Sequence, residues 1–197
     1  MDSEVYVGRK FETEFVDGVL ELEEGVVNDF LDVCGILASE GVAPDSSGNI
    51  SIRKEEGMLI TAGGVELGEA GRKDLIYVVD YDARLKKAMV LGNKEPSSET
   101  PMHWMIYQNF PGVNAVVHAH DQLVLENFGV SERLDIKTTG EMPYGTPELA
   151  EQVTDALRES NYVLMRNHGS VSVGVNLREA LNLMLQIHHK LKNEGID

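Results

Sequence analysis

The chain is short of three things, and each shortage removes a class of function. One cysteine, Cys34, stands among 197 residues. No internal disulfide can form, and the expected setting is a reducing, cytoplasmic one. Only 17 lysines and arginines face 33 aspartates and glutamates, for a formal net charge of -16. Nucleic-acid backbones and anionic membrane surfaces call for clustered positive charge, so neither is expected as a partner. No apolar run approaches the ~20 residues of a membrane-spanning helix. The start, M-D-S-E-V-Y-V, lacks the basic and apolar regions of a secretory signal. An anionic substrate must therefore be held by local donors against an unhelpful overall field.

What is present fits one domain with a substantial core, since 42% of the residues are hydrophobic. Residues 11–24, F-E-T-E-F-V-D-G-V-L-E-L-E-E, read as a β-hairpin turning at Asp17-Gly18, with Phe15 facing Leu20 and Thr13 facing Leu22. A rival reading starts the next helix as early as Val19. On the hairpin reading residues 1–25 form an N-terminal extension and 26–197 the main domain. Helical spacing of apolar residues marks 26–40 and 177–191, and helices are also expected over 101–109, 122–128 and 147–159. Thr100 is placed to cap the 101–109 helix, with Pro101 at its first position. Strands are expected at 50–53, 58–61, 75–80, 87–91, 115–120, 162–166 and 170–173. Strands and helices interspersed in this way give an α/β or α+β fold, with helices covering a sheet.

The stretch A-V-V-H-A-H, residues 115–120, places two histidines at the end of a buried strand. Residues i and i+2 of a strand share a face, so His118 and His120 project side by side. Alone, H-x-H is as compatible with two hydrogen-bonded structural histidines as with a metal site. Zinc enzymes generally use three protein ligands and keep a fourth position open. His168, in N-H-G after an apolar strand, is the best third ligand, with Gly169 allowing an unusual backbone angle. His103, His188 and His189 lie within helices and read as packing, hydrogen-bonding or interface residues. The H-x-H-x-D-H pattern of metallo-hydrolases does not fit, because Asp121 follows His120 directly and no histidine comes next.

Three polar turns, G-N-I-S (48–51), T-A-G-G (61–64) and P-S-S-E (96–99), each adjoin a strand or a helix start. Backbone N–H groups and neutral side-chain donors there could together cradle a phosphate, helped by the positive end of the helix beginning near Thr100. Each turn alone is also simply a turn. Glu99, beside such a loop, is a candidate general base or a carboxylate favouring the helix dipole.

Taken together, G-N-I-S-I-R, L-I-T-A-G-G, E-P-S-S-E-T-P-M-H-W, A-V-V-H-A-H and M-R-N-H-G-S occur in an order that resembles the class II aldolase/adducin family. The zinc-dependent L-fuculose-1-phosphate aldolases are the branch it most resembles, over about residues 26–190. The resemblance implies a three-layer α/β/α fold with a largely antiparallel central sheet flanked by helices. It also implies a homotetramer whose active sites lie between subunits. It makes His118, His120 and His168 zinc ligands, with Glu99 the acid/base residue close enough to touch the metal. Asn49, Gly63, Gly64, Ser97 and Ser98 would hold the substrate phosphate. The implied reaction is cleavage of a small ketose 1-phosphate to dihydroxyacetone phosphate and an aldehyde, through a zinc-stabilised enediolate.

Two departures stand out. The family carries a hydroxyl residue where this chain has Gly63, so one side-chain donor is lost. The segment between His120 and Gly145 is short, and the tyrosine that protonates the leaving aldehyde has no clear counterpart; Tyr144 is the candidate replacement. Alternatives are a methylthioribulose-1-phosphate dehydratase, which keeps the glutamate, a pentulose-5-phosphate 4-epimerase, which has aspartate at that position, and a non-catalytic adducin-like module.

Overall fold

Apolar spacing decides where the helices lie, and the sheet takes up the rest. The computed structural model describes residues 9–130 and 134–193. Along the chain run β1 (Glu12–Phe15), α1 (Glu24–Ser39), β2 (Gly48–Lys54), β3 (Gly57–Thr61), β4 (Leu75–Asp82) and β5 (Lys87–Leu91). There follow α2 (Thr100–Asn109), β6 (Ala115–Ala119), α3 (Gln122–Glu126), β7 (Lys137–Thr139), α4 (Pro147–Ala156), β8 (Tyr162–Met165), β9 (Gly169–Gly174) and α5 (Leu177–Asn193). The strands form one sheet in the order β1-β5-β4-β3-β2-β6-β9-β8-β7. Its two outermost pairings, β1 with β5 and β7 with β8, are parallel; the others are antiparallel.

Helices cover both faces, giving three layers. On α1, Val27, Phe30, Val33, Cys34 and Leu37 recur at helical spacing and are buried. They share a core with Leu177, Leu181 and Met184 of α5 and with Ala115, Val117 and Ala119 of β6. The opposite core joins Met102 and Ile106 of α2 and Leu149 and Val153 of α4 to Val116 of β6. Strand alternation therefore sends His118 to the α2/α4 side, the same side as Val116.

The hairpin expected at residues 11–24 does not form. β1 pairs in parallel with β5, Thr13 lying across from Ala88, and Val16 N–H donates to the Val90 carbonyl. Gly18 packs against Leu91 instead of turning the chain back, and Leu20 and Leu22 pack on the α1/α5 core. The alternating pattern was satisfied by the open edge of β5 rather than by its own return strand. Thr100 is not the cap either. The N-cap position of α2 is Glu99, whose side chain makes no cap bond, and Thr100 Oγ1 donates to the Ser97 carbonyl at 2.7 Å. Helix α4 ends at Ala156, short of the expected 159, and the three-residue β7 had no periodic signal. Among the described residues no helix is long and apolar enough to cross a membrane.

Candidate active site

His118 and His120 sit where β6 leaves the sheet, and His168 arrives from the turn joining β8 to β9. His118 is fixed first. Its Nδ1–H donates to the Ser170 carbonyl of the neighbouring strand at 2.9 Å. A carbonyl only accepts, so this bond sets the tautomer and leaves Nε2 as a bare lone pair. That lone pair faces His120 Nε2 at 3.0 Å, an arrangement that a proton or a cation must bridge.

His168 completes the cluster. Its ring lies parallel to that of His118, centroids 5.1 Å apart, and edge-on to His120 at 4.8 Å. One ligand nitrogen from each of the three histidines lies within 4.8 Å of the others. Burial, reinforced by the two neighbouring imidazoles, drives the His118 pKa well below its ordinary value. Neutral imidazoles are what a metal requires. Three imidazole nitrogens gathered at one point, one with its tautomer locked by a backbone carbonyl, fit a zinc-type divalent ion.

The backbone around His168 differs from expectation in one respect. The left-handed residue is Asn167, at φ +56°, rather than Gly169. Gly169 is needed for space: a Cβ there would lie 2.7 Å from the Ala119 carbonyl oxygen and 2.8 Å from both His118 Cε1 and His120 Cδ2. Asparagine is among the residues that tolerate the left-handed region, so N-H-G divides the two jobs.

Glu99 stands beside the histidines, buried, with Oε1 3.8 Å from His168 Nε2. Tyr144 is buried too, its ring parallel to that of His168 at 6.3 Å. The anion-binding candidates line the same space. Ser97 N–H donates to the Thr61 carbonyl at 3.0 Å, and Ala62 bridges to Pro96, so T-A-G-G and P-S-S-E lie side by side. Asn49 is directly paired with His118 across β2 and β6. The Asn49 Oδ1 is buried with no hydrogen-bond partner among the described residues. Ser97 Oγ accepts from Glu99 N–H at 3.2 Å, tying the P-S-S-E turn to the candidate base. A cavity of about 990 Å³ is lined by Asn49, Gly63, Gly64, Ser97, Ser98, Glu99, His118, His120, Tyr144 and His168, among others. Every site residue expected from the sequence faces this one space.

The cavity also holds residues that the sequence did not single out: Arg9, Glu141 and Asn167. Asn167 had a signal, its place in N-H-G. Arg9 had none, because it lies in no motif and reaches the site only through the pairing of β1 with β5. The remaining histidines have structural partners. His103 Nδ1 is 2.7 Å from Ser51 Oγ, which in turn lies 2.8 Å from Tyr107 Oη. His188 Nδ1 is 2.7 Å from Asp121 Oδ2, and His189 Nε2 is 2.9 Å from Glu40 Oε2.

Comparison with known proteins accords with this geometry. The model of the Class II Aldolase and Adducin N-terminal domain matches residues 28–193. An L-fuculose phosphate aldolase of Methanococcus maripaludis is 31% identical, the match covering 78% of this chain and 87% of that one. A 5-methylthioribulose-1-phosphate/5-deoxyribulose-1-phosphate aldolase of Escherichia coli is 29% identical over 82% of this chain and 78% of its own. Among solved structures, the L-fuculose-1-phosphate aldolase from Thermus thermophilus superposes with a TM-score of 0.70 at 25% identity, covering 89% of this chain and 99% of that one. These relatives indicate an enzyme of the class II aldolase type. The chain belongs to the class II aldolase and adducin family.

Proposed function

We propose that this protein is a zinc-dependent aldolase that cleaves a small ketose 1-phosphate into dihydroxyacetone phosphate and an aldehyde. One observation carries the reading: three imidazoles and a buried carboxylate share a single cavity with three polar turns. His118, His120 and His168 hold the ion. When bound, it supplies Lewis-acid stabilisation of the negative charge left by carbon–carbon cleavage.

The protein's own groups do the rest. Asn49, Gly64, Ser97 and Ser98 grip the phosphoryl end and so fix the distance from it to the reacting carbons. Glu99, held in a buried pocket, carries the proton to and from the carbon next to the carbonyl. Tyr144, whose ring lies beside that of His168, relays the hydroxyl proton away from the substrate oxygen that becomes the aldehyde carbonyl, and returns it in the reverse direction. Retro-aldol cleavage then balances: the hydroxyl proton leaves as the carbon–carbon bond breaks, and one proton returns to the new carbon terminus. The family resemblance supports a cytoplasmic homotetramer with sites at subunit boundaries.

The test is incubation of zinc-loaded protein with a panel of ketose 1-phosphates, reading release of dihydroxyacetone phosphate. Release from at least one member is expected. Water loss without carbon–carbon cleavage would replace this reading with the dehydratase one, and inactivity across the panel would remove it.

A further inference from the structure

The cavity wall carries one arginine, and it comes from outside the segment that matches the family. Among the described lining residues Arg9 is the only lysine or arginine, set against Asp45, Glu99 and Glu141. The family match begins at residue 28. Arg9 stands just before β1, whose parallel pairing with β5 holds this part of the chain in place. The next residue, Lys10, donates to the Tyr144 carbonyl and lies 4.6 Å over its ring. Residues 9 and 10 thus contact the site at two places.

The contact with Gly63 is the informative one. A Cβ built on Gly63 would lie 3.1 Å from Arg9 Nη2 and 3.2 Å from the Pro96 carbonyl oxygen. The guanidinium borders the space that a side chain at position 63 would need. That is the position where the resemblance leads one to expect a hydroxyl and finds none. The Gly63 N–H cannot replace the missing donor, because it is committed to the Glu95 carbonyl at 3.0 Å. Meanwhile Arg9 Nη1 pairs with the half-exposed Glu95 carboxylate, and Arg9 Nε is buried with no hydrogen-bond partner among the described residues. A guanidinium fork suits the oxygens of a phosphoryl group, and charge-assisted bonds in a sheltered site are strong.

We infer that Arg9 binds the phosphoryl group of the substrate, taking over the donor role that Gly63 lacks. This rests on the sugar-phosphate reading above. The N-terminal segment is then part of the substrate site, and Arg9, the one cation among the described lining residues, offsets an acidic protein's field where an anion must enter. Glu95 holds the guanidinium when no substrate is present and competes with the phosphoryl group for it.

Calorimetric titration of inorganic phosphate into metal-free protein tests this without catalysis. Arg9→Gln is expected to weaken phosphate binding about 10- to 100-fold, the usual worth of a hydrogen bond to a charged group. Arg9→Lys should recover part of that loss. Glu95→Gln removes the competing carboxylate and should tighten phosphate binding, which an ion pair serving only to anchor the chain would not do. It also carries the test if Arg9→Gln fails to fold. With zinc-loaded enzyme and an active ketose 1-phosphate, Arg9→Gln should raise KM far more than it lowers kcat. Unchanged phosphate affinity in Arg9→Gln, or no tightening in Glu95→Gln, overturns the assignment. Wild-type protein inert on the ketose panel, yet losing phosphate in Arg9→Gln, would refute the aldolase reading and leave Arg9 assigned. Turnover with a KM indifferent to Arg9 would do the reverse.

Discussion

Asn49 on β2 and His118 on β6 are direct partners in the antiparallel ladder, and their side chains leave the sheet on the same face. The proposed anion-binding turn and the proposed metal ligand are therefore one strand spacing apart, set by backbone hydrogen bonds rather than by loops. A substrate spanning them meets a fixed ruler.

Asn49→Asp places a carboxylate where the phosphoryl group is to sit. The metal should still bind, since no ligand is altered. KM for a ketose 1-phosphate should rise at least ~10-fold, the cost of about 1.4 kcal/mol of lost binding. Steady-state kinetics together with a metal assay separates the two effects.

Glu99→Gln keeps the shape of the side chain and removes its basicity. Turnover should fall by ~100- to 10,000-fold, the range for loss of a positioned acid/base. Metal content should stay near that of the wild type. Tyr144→Phe should slow cleavage while leaving metal and phosphate binding intact; unchanged turnover would withdraw Tyr144 from the mechanism.

Gly169→Ala tests how the histidines are packed. The added methyl meets the Ala119 carbonyl oxygen at 2.7 Å and the rings of His118 and His120 at 2.8 Å. Both imidazoles must shift, so metal affinity should drop by about 10- to 100-fold, the scale seen when the support of a ligand is disturbed. A stability loss of ~1–3 kcal/mol should accompany it. Competition with a chromogenic chelator reads the first and thermal denaturation the second.

Acid should destabilise the fold through His103. It is completely buried, with Nδ1 held by Ser51, and burial pushes its pKa down to about 3. In the unfolded chain the same group takes a proton near pH 6.5. Between those limits the unfolded state binds more protons, so stability rises with pH through the window and falls as pH drops from 6.5 towards 3. Metal-free protein should show this as a declining Tm over that range. His103→Gln should flatten the decline. Ser51→Ala, which leaves both His103 Nδ1 and Tyr107 Oη short of a partner, should cost ~1–3 kcal/mol at neutral pH.

Much of this architecture was legible in the amino-acid order because local rules and tertiary packing agreed. The α1 stripe from Val27 to Leu37, the β5 segment and the H-x-H strand end each follow from periodicity, and each lies where periodicity puts it. What escaped depended on partners distant along the chain. The edge of β5 captured β1, a pairing that neither segment announces. Strand β7 is held by β8 and the packing of α4, not by any pattern in K-T-T. Arg9 reached the cavity for the same reason that the hairpin failed: the N-terminal segment answered to β5 rather than to itself. The unusual backbone angle expected of Gly169 belongs to Asn167, while Gly169 supplies a close approach that no sequence pattern announces.

Zinc titration into metal-free wild type and His168→Ala, followed by calorimetry, addresses the convergence of the three imidazoles most directly. The account predicts one tight site per chain in the wild type and its loss in the variant. A titration that is the same with and without His168, whether tight or absent, would contradict it.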